Sequence, residues 1–418
     1  MSPHFEVRTQ LTRPGRPAPG GRTGVIHTAH GSIETPAFIP VGTKATVKAV
    51  LPESMANLGA QALLANAYHL YLQPGADIVA GAGGLGAFMN WPGPTFTDSG
   101  GFQVLSLGAG FKKVLAMDTS VRSDDVIAPG KDRLARVDDD GVTFKSHLDG
   151  SSHRFTPEVS MAVQRQLGAD IIFAFDECTT LVNTREYQVR SLERTRLWAR
   201  RCLDEHQRLA AEHGDRPRQY LYGVVQGAQY RDLRRRAASD LAGMEFDGYG
   251  IGGALDKSML GEIVGWVTEL LPADRPRHLL GIGEPDDLFA AIERGADTFD
   301  CVAPSRLARN GSVYSPTGRY NIGGAKNRRS YEPLAPDCDC YTCNHYTRAY
   351  LHHVYKAKEM ICSTLLTLHN EYFIVGLVDR IRESIEGGHF DEFRLEFLSG
   401  YYGPSAAATV AVTDFGLG

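Results

Sequence analysis

The chain has 418 residues, a formal net charge of −5 at pH 7, 43% hydrophobic and 22% charged residues. That length exceeds one ordinary core and fits either one large barrel with an appended subdomain or two to three domains. The acidic balance excludes a protein that coats nucleic acid over its whole surface. No apolar run approaches the roughly 20 residues of a membrane span, and the N-terminal MSPHFEVRTQLTRPGRP lacks the apolar stretch of a secretion signal.

In chain order, TPAFIPVG and QALLANAY read as the first strand-to-helix units, followed by TFTDSGGFQ, in which Asp98 precedes a Gly100-Gly101 turn and Phe102. Residues 109–140 break the pattern with a charged, mixed segment before the strand GVTFKSHLDG and read as a long insertion. Thr156 then caps a helix that Pro157 opens and Gly168 closes, ahead of the strand ADIIFAFDE. YLYGVVQG ends a strand at Gln226, after which Tyr230, Leu233, Ala237 and Leu241 recur at helical spacing. FDGYGIGG ends in Gly252 and Gly253, HLLGIG precedes a helix between Pro285 and Gly295, and TFDCV is again a strand. Strands alternating with helices predict a parallel sheet. Asp176, Gln226, Gly252, Gly253 and Asp300 each fall at or just past a strand's C-terminal end. Five contributing strands favour a closed (β/α)₈ TIM barrel over an open sheet, which gathers ligands only at its switch point. Neither GxGxxG after the first strand nor GxxxxGK[ST] is present.

After about residue 325 the pattern changes to a cysteine cluster and helical stretches near 346–357 and 362–386. The expected organisation is a catalytic barrel over 1–325, a helical zinc-binding subdomain over 326–400, and a loosely ordered tail over 401–418. The chain has seven cysteines, an odd number, and Cys338, Cys340 and Cys343 lie within six positions of one another. That pattern fits a metal in a reducing cytoplasm better than a disulfide framework. Three soft ligands need a fourth for a closed tetrahedral zinc site, and His345, His352, His353, Cys362 and His369 are the candidates downstream. From Cys301 to Tyr331 the chain carries Arg306, Arg309, Arg319, Lys326, Arg328 and Arg329 and no acid. Its neighbours on either side turn that run from a merely solvated loop into a phosphate-contacting surface. Three aspartates on one barrel face suggest a nucleophile, an acid/base and a ligand-holding carboxylate.

FTDSGGFQVLSL, GVTFKSHLDGS, FAFDEC, GVVQG, GYGIGG, FDCVAPSRLARNG and C-x-C-x₂-C followed by His369 resemble, in order and from about residue 5 to about residue 400, the bacterial tRNA-guanine transglycosylase family. The resemblance implies an irregular (β/α)₈ barrel with a zinc-binding subdomain. It also implies action on the wobble guanine of tRNAs with a GUN anticodon, those for aspartate, asparagine, histidine and tyrosine. By position it makes Asp300 the nucleophile at ribose C1′ and Asp98 the general acid/base. Asp176 becomes the acceptor of the base's N1–H and amino group, and Gln226 and the Gly253 N–H, beside Gly252, the donors to O6. Phe102 and Leu280 become apolar neighbours of the base, and Cys178 matches the bacterial pattern. Arg306 and Arg309 match tRNA contacts, with Lys326, Arg328 and Arg329 extending the basic run. Cys338, Cys340, Cys343 and His369 become ligands of one structural Zn²⁺ per subunit. The family implies a homodimer.

Where relatives continue the Gly-Gly turn with Leu-Ala-Val-Gly-Glu or Leu-Ser-Gly-Gly-Glu, this chain has Ala254, Leu255, Asp256 and Lys257. That segment faces the 7-substituent of the incoming base, so the choice of base is open there: 7-aminomethyl-7-deazaguanine is the expected base and queuine or a related salvaged base the alternative, with Asp256 a candidate counter-charge to the aminomethyl group. A non-catalytic zinc-containing RNA-binding protein would have no use for three aspartates at strand ends. A relative acting on DNA, or the archaeal enzyme with its extra C-terminal domains, fits the chain less well.

Overall fold

Eight short strands, buried on both faces along most of their length, build the centre of the protein, whose computed structural model describes residues 4–13, 20–108, 135–181, 183–212, 214, 216–253 and 255–404. The strands are β1 (Ala37–Pro40), β2 (Leu63–Ala65), β3 (Thr95–Thr97), β4 (Ile171–Phe173), β5 (Tyr220–Val225), β6 (Gly248–Ile251), β7 (Arg277–Leu279) and β8 (Thr298–Cys301). From β2 to β8 each strand pairs in parallel with the next in chain order, and β8 pairs with β1. One parallel bridge, Val41 to Leu64, with Gly42 N–H donating to Leu64 O at 2.7 Å, closes the ring. The expected irregular (β/α)₈ barrel is thus present.

Side-chain parity divides each strand between two cores. Ile39, Phe96, Ile171, Phe173, Tyr222 and Val224 fill the barrel interior, whereas Phe38, Ile172, Leu221, Val225, Leu279 and Phe299 pack outward against the helices. A three-stranded antiparallel sheet (Phe5–Gln10, Arg22–Thr28, Gly31–Thr35) covers the N-terminal end. Its Phe5, Ile26 and Ile33 join the interior cluster, and His4 Nε2 meets the Tyr222 hydroxyl at 3.0 Å. Most of the insertion expected at 109–140, residues 109–134, lies outside the described residues; Ala135–Val137 pairs with Val142–Lys145, and that strand with Ser152–Phe155.

The helix Met360–Glu386 is long enough, and apolar enough over its most apolar 18 residues, where the mean hydropathy is 1.3, to meet the length and composition of a membrane span. This corrects the expectation that no stretch approaches one. Packing accounts for its apolar character: Cys362, Leu365 and Leu366 join a small core with Ala308, Val313, Ile322, Leu334 and Leu351. Further along, Ile374, Val375, Leu377, Val378 and Ile381 join the outer core of the barrel. Of the tail, Tyr401 and Tyr402 end the helix Phe390–Tyr402, and residues 405–418 lie outside the described residues.

Beneath the barrel, the fully buried Asp297 carboxylate takes both prongs of the Arg22 guanidinium, at 2.8 and 2.7 Å, and the Arg277 N–H at 2.7 Å. Breaking such a pair strands a buried cation. Asp297→Ala is expected to destabilise the protein by about 3–5 kcal/mol, read as a lower urea midpoint. A midpoint unchanged from the wild type would remove this pair from the account of the barrel's floor.

Candidate active site and metal centre

The barrel mouth is built from strand ends. Asp98 follows β3, half-buried, and accepts from Asn66 Nδ2 at 2.6 Å and from the Ala67 N–H at 2.8 Å, both from the segment after β2. Burial pushes its pKa up to about 6 against the pull of those donors and of Gln103, and the charge of Asp300 adds to the rise. The Gly100-Gly101 turn, with Gly100 at φ +80°, brings the backbone against the end of β4. A Cβ on Gly101 would lie 2.7 Å from Asp176 O. Phe102 is exposed at the start of the helix Gly101–Gly108.

Asp176, past the end of β4, is buried and accepts from Gln226 Nε2 at 2.6 Å and Ser99 Oγ at 3.2 Å. Burial, with the Asp98 charge contributing, raises its pKa to about 6. Its neighbour Glu177 turns the other way, pairing with Arg194 and the Tyr187 hydroxyl at 2.5 Å each, and so anchors the helix Arg185–Glu212. Cys178 is half-buried with its thiol pKa pushed up by burial, which makes it a poor nucleophile.

Along β6, Gly248, Gly250 and Gly252 occupy alternate positions that point inward. A Cβ there would meet the Tyr222 ring at 2.6 Å, the Phe173 ring at 3.0 Å, and Val224 Cγ1 at 2.9 Å respectively. Leu280, half-buried, packs over the last two glycines. Gly253, at φ +84°, turns the chain away so closely that a Cβ would sit 2.2 Å from Gln226 Oε1. Ala254 lies outside the described residues, and beyond it Asp256 Oδ1 is taken by Ser258 N–H and Oγ at 3.0 and 2.7 Å while Lys257 pairs with Asp287 at 3.0 Å.

Asp300 lies in β8, its side chain 14% exposed. Its Oδ1 accepts from His278 Nε2 and from the Gly281 N–H, each at 3.0 Å, and no donor among the described residues reaches Oδ2. His278, fully buried between Phe96 and Phe173, is set from behind by Thr298 Oγ1 at 2.9 Å from Nδ1. Sequence reasoning missed both Asn66 and His278. Asn66 follows β2 as Asp98 follows β3, and His278 shares the strand parity of Leu280, so either was within reach of those rules.

From the end of β8 the chain enters the helix Ala303–Arg309, which exposes Arg306 and leaves Arg309 half-buried with Nη1 on Ser305 O at 3.0 Å. Lys326, Arg328 and Arg329 are exposed on the 3₁₀ turn Ala325–Arg329, and none of them has an ion pair among the described residues. Arg319 does, with Glu284 at 3.0 Å.

Cys338, Cys340, Cys343 and His369 gather with their ligand atoms within 4.8 Å of one another. The thiol sulfurs stand 3.7, 3.4 and 3.4 Å from His369 Nδ1. These separations bracket the roughly 3.6 Å that tetrahedral zinc distances imply for a sulfur and a nitrogen on one ion. His369 Nε2 donates to Tyr314 O at 2.8 Å, which leaves Nδ1 as the free acceptor. His345, His352 and Cys362 have other partners in Tyr341 O, Ile322 O and Leu351 O, and His353 is exposed. The donor set therefore fits a metal ion with four protein ligands.

The sequence model of the queuine tRNA-ribosyltransferase family matches residues 18–403. A queuine tRNA-ribosyltransferase of Pelotomaculum thermopropionicum is 45% identical over 387 residues, which cover 92% of this chain and 96% of that protein. Proteins of the same description from Geobacillus thermodenitrificans and Symbiobacterium thermophilum are each 44% identical, covering 94% and 96% of this chain and 96% and 93% of their own lengths.

The metal centre yields one expectation. Purified protein is expected to hold about one equivalent of metal per chain by elemental analysis, and His369→Ala to lose it together with several degrees of thermal stability, since a structural metal contributes folding energy directly. Retention of stoichiometric metal by that variant would assign the fourth position elsewhere.

Proposed function

The chain belongs to the queuine tRNA-ribosyltransferase family, and from that premise we propose that it exchanges the wobble guanine of GUN-anticodon tRNAs, those for aspartate, asparagine, histidine and tyrosine, for 7-aminomethyl-7-deazaguanine. The reaction proceeds by double displacement, as a cytoplasmic step of queuosine synthesis carried out by a homodimer. The observation that carries this reading is the state of Asp300: one oxygen is held by two donors and the other has none among the described residues, beside a second carboxylate whose pKa is raised.

Asp300 Oδ2 attacks ribose C1′ as the bond from C1′ to guanine N9 breaks, and the protonated Asp98 neutralises the departing base. The incoming base then gives its N9 proton to Asp98 and attacks C1′, the bond to Asp300 breaks, and both carboxylates return to their starting states. A pKa near 6 suits a group that must both give and take a proton near neutrality. Asp176, ionised, accepts the base's N1–H and amino protons, and Gln226 turns from it toward O6, which the Gly253 N–H also meets. Phe102 and Leu280 offer apolar surface to the faces of a base that has left the anticodon stack. Arg306, Arg309, Lys326, Arg328 and Arg329 lie in the segment that follows Asp300 and would meet the tRNA phosphates. Cys338, Cys340, Cys343 and His369 hold one zinc ion, which when bound cross-links a loop to a helix and offers no open position for chemistry.

Asp300→Asn is expected to abolish the denaturant-resistant complex between protein and tRNA and to lower guanine release by roughly a thousandfold or more. His278→Phe, which removes one donor behind the nucleophile, should slow formation of that complex by about 10- to 100-fold with tRNA KM unchanged. A covalent complex in Asp300→Asn would refute the assigned nucleophile. Offering queuine in parallel decides between the two bases.

The pH dependence has a definite sign. Asp98 and Asp176 are both raised to about 6, and both must be ionised when the incoming base binds and loses its proton. kcat/KM for that base is therefore expected to be level at pH 7.5 and to fall as pH drops through about 6. A profile level down to pH 5 would contradict these roles.

A further inference from the structure

Arg234 lies in the helix Arg231–Ala242, which follows β5, and it is fully buried. A buried guanidinium ordinarily faces a carboxylate. Here no carboxylate among the described residues pairs with it, and burial lowers its pKa only to about 9, so it stays cationic at neutral pH. Its partners are backbone carbonyls: Nε donates to Ala228 O at 2.8 Å, and Nη1 to both Val225 O at 3.0 Å and Gly252 O at 2.8 Å. Nη2 has no partner. The turn after Gln226 packs directly on the backbone of this helix, since Gly227 sits at φ +134° and a Cβ there would lie 2.7 Å from the backbone nitrogen of Arg234.

The choice of carbonyls is informative. Gly252 C=O and Gly253 N–H belong to one peptide group, as do Val225 C=O and Gln226 N–H. A cation drawing electron density toward a carbonyl oxygen makes the N–H of the same planar amide a stronger donor. The Gly253 N–H has no hydrogen-bond partner among the described residues. A fixed, dry cation behind an unused donor at the mouth is the arrangement that strengthens a bond to an incoming acceptor without reorganisation.

We propose that Arg234 is a positioning residue for base recognition, holding and polarising the Gly252–Gly253 peptide so that its N–H is presented, strengthened, to the O6 of the base. This rests on the reading above in which Gly253 and Gln226 meet O6, and it adds a residue that touches neither base nor tRNA. A clamp that merely stabilised the loops would affect all bases alike. A polarised donor affects a base in proportion to how well its 6-substituent accepts.

The test compares guanine with 6-thioguanine, which keeps the N1–H and amino donors but offers a weaker acceptor at position 6. Each displaces labelled guanine from preloaded tRNA, using wild type, Arg234→Gln and Arg234→Lys, with folding checked by thermal melts. Wild type is expected to prefer guanine in kcat/KM by roughly 10-fold or more. Arg234→Gln, neutral but still a donor, should cut that preference to about threefold or less with tRNA KM unchanged, while Arg234→Lys, still cationic, should keep most of it. If wild type does not distinguish the two bases, the O6 reading itself fails. If wild type does and Arg234→Gln keeps the same preference, or both variants lose activity equally toward both bases, the polarising role fails and the O6 reading stands. Should Arg234→Gln not fold, loss of the preference in Arg234→Lys, where the charge remains, overturns the proposal.

Discussion

Three carboxylates crowd one end of a barrel, and among the described residues no arginine or lysine pairs with any of them. Asp98 rests on Asn66 and the Ala67 N–H, Asp176 on Ser99 and Gln226, and Asp300 on His278 and the Gly281 N–H. An arginine in any of these places would lower the carboxylate's pKa by about 1–3 units and blunt it as nucleophile or proton carrier. The contrast lies one residue away: Glu177, next to Asp176, is paired with Arg194 and packed behind a helix. Adjacent acids in one motif thus sit in opposite settings: Glu177 is held by a cation against a helix, and Asp176 faces the barrel mouth with Ser99 and Gln226 as its side-chain donors. The nearby buried cation, Arg234, obeys the same rule, since it is spent on carbonyls rather than on the acids.

Only one end of the barrel is open to this arrangement. Large interior side chains fill its lower half, and the N-terminal sheet seals that end through His4 and Tyr222. At the mouth the interior positions shrink to Gly250 and Gly252, so the space that Phe173 and Val224 leave is not refilled from β6. Packing and pocket are one problem here: adding a methyl at either glycine drives into a ring, a valine or Leu280, where close packing leaves no slack.

Much of this was legible because it follows from local rules. The helix over Pro157–Leu167 is capped by Thr156, opened by Pro157 and closed by Gly168 in the left-handed region, as those residue types require. The strand ends carrying Asp176, Gln226 and Asp300 followed from apolar runs that stop at polar residues. His278 and Asn66 were not singled out, because each is polar within an apolar pattern and its partner is distant in sequence, and Arg234 was hidden among the charged residues of RDLRRR. Arg234 shares a helical face with Leu233, Ala237 and Leu241, a position where burial is readable, but the carbonyls it meets lie on two different strand ends. The helix Met360–Glu386 was legible as a helix of the appended subdomain, but its service to two cores was not. A helix that serves two cores is apolar on more than one face, which hydropathy alone does not separate from a span.

The metal cluster gains its purpose from the residue beside it. His369 closes the Cys₃His set through Nδ1 and fixes Tyr314 O through Nε2, while Asn370, next in the chain, accepts from the Tyr314 N–H at 3.1 Å and donates to Pro304 O at 3.1 Å and Ser312 O at 3.0 Å. Pro304 begins the helix that carries Arg306 and Arg309, directly after the strand of Asp300. One turn of one helix therefore ties the metal loop, the basic helix and the end of β8 into a single rigid node. An ion held by these four residues would cross-link the cysteine loop to this turn and so fix where the basic surface stands relative to Asp300, with no open position left for chemistry.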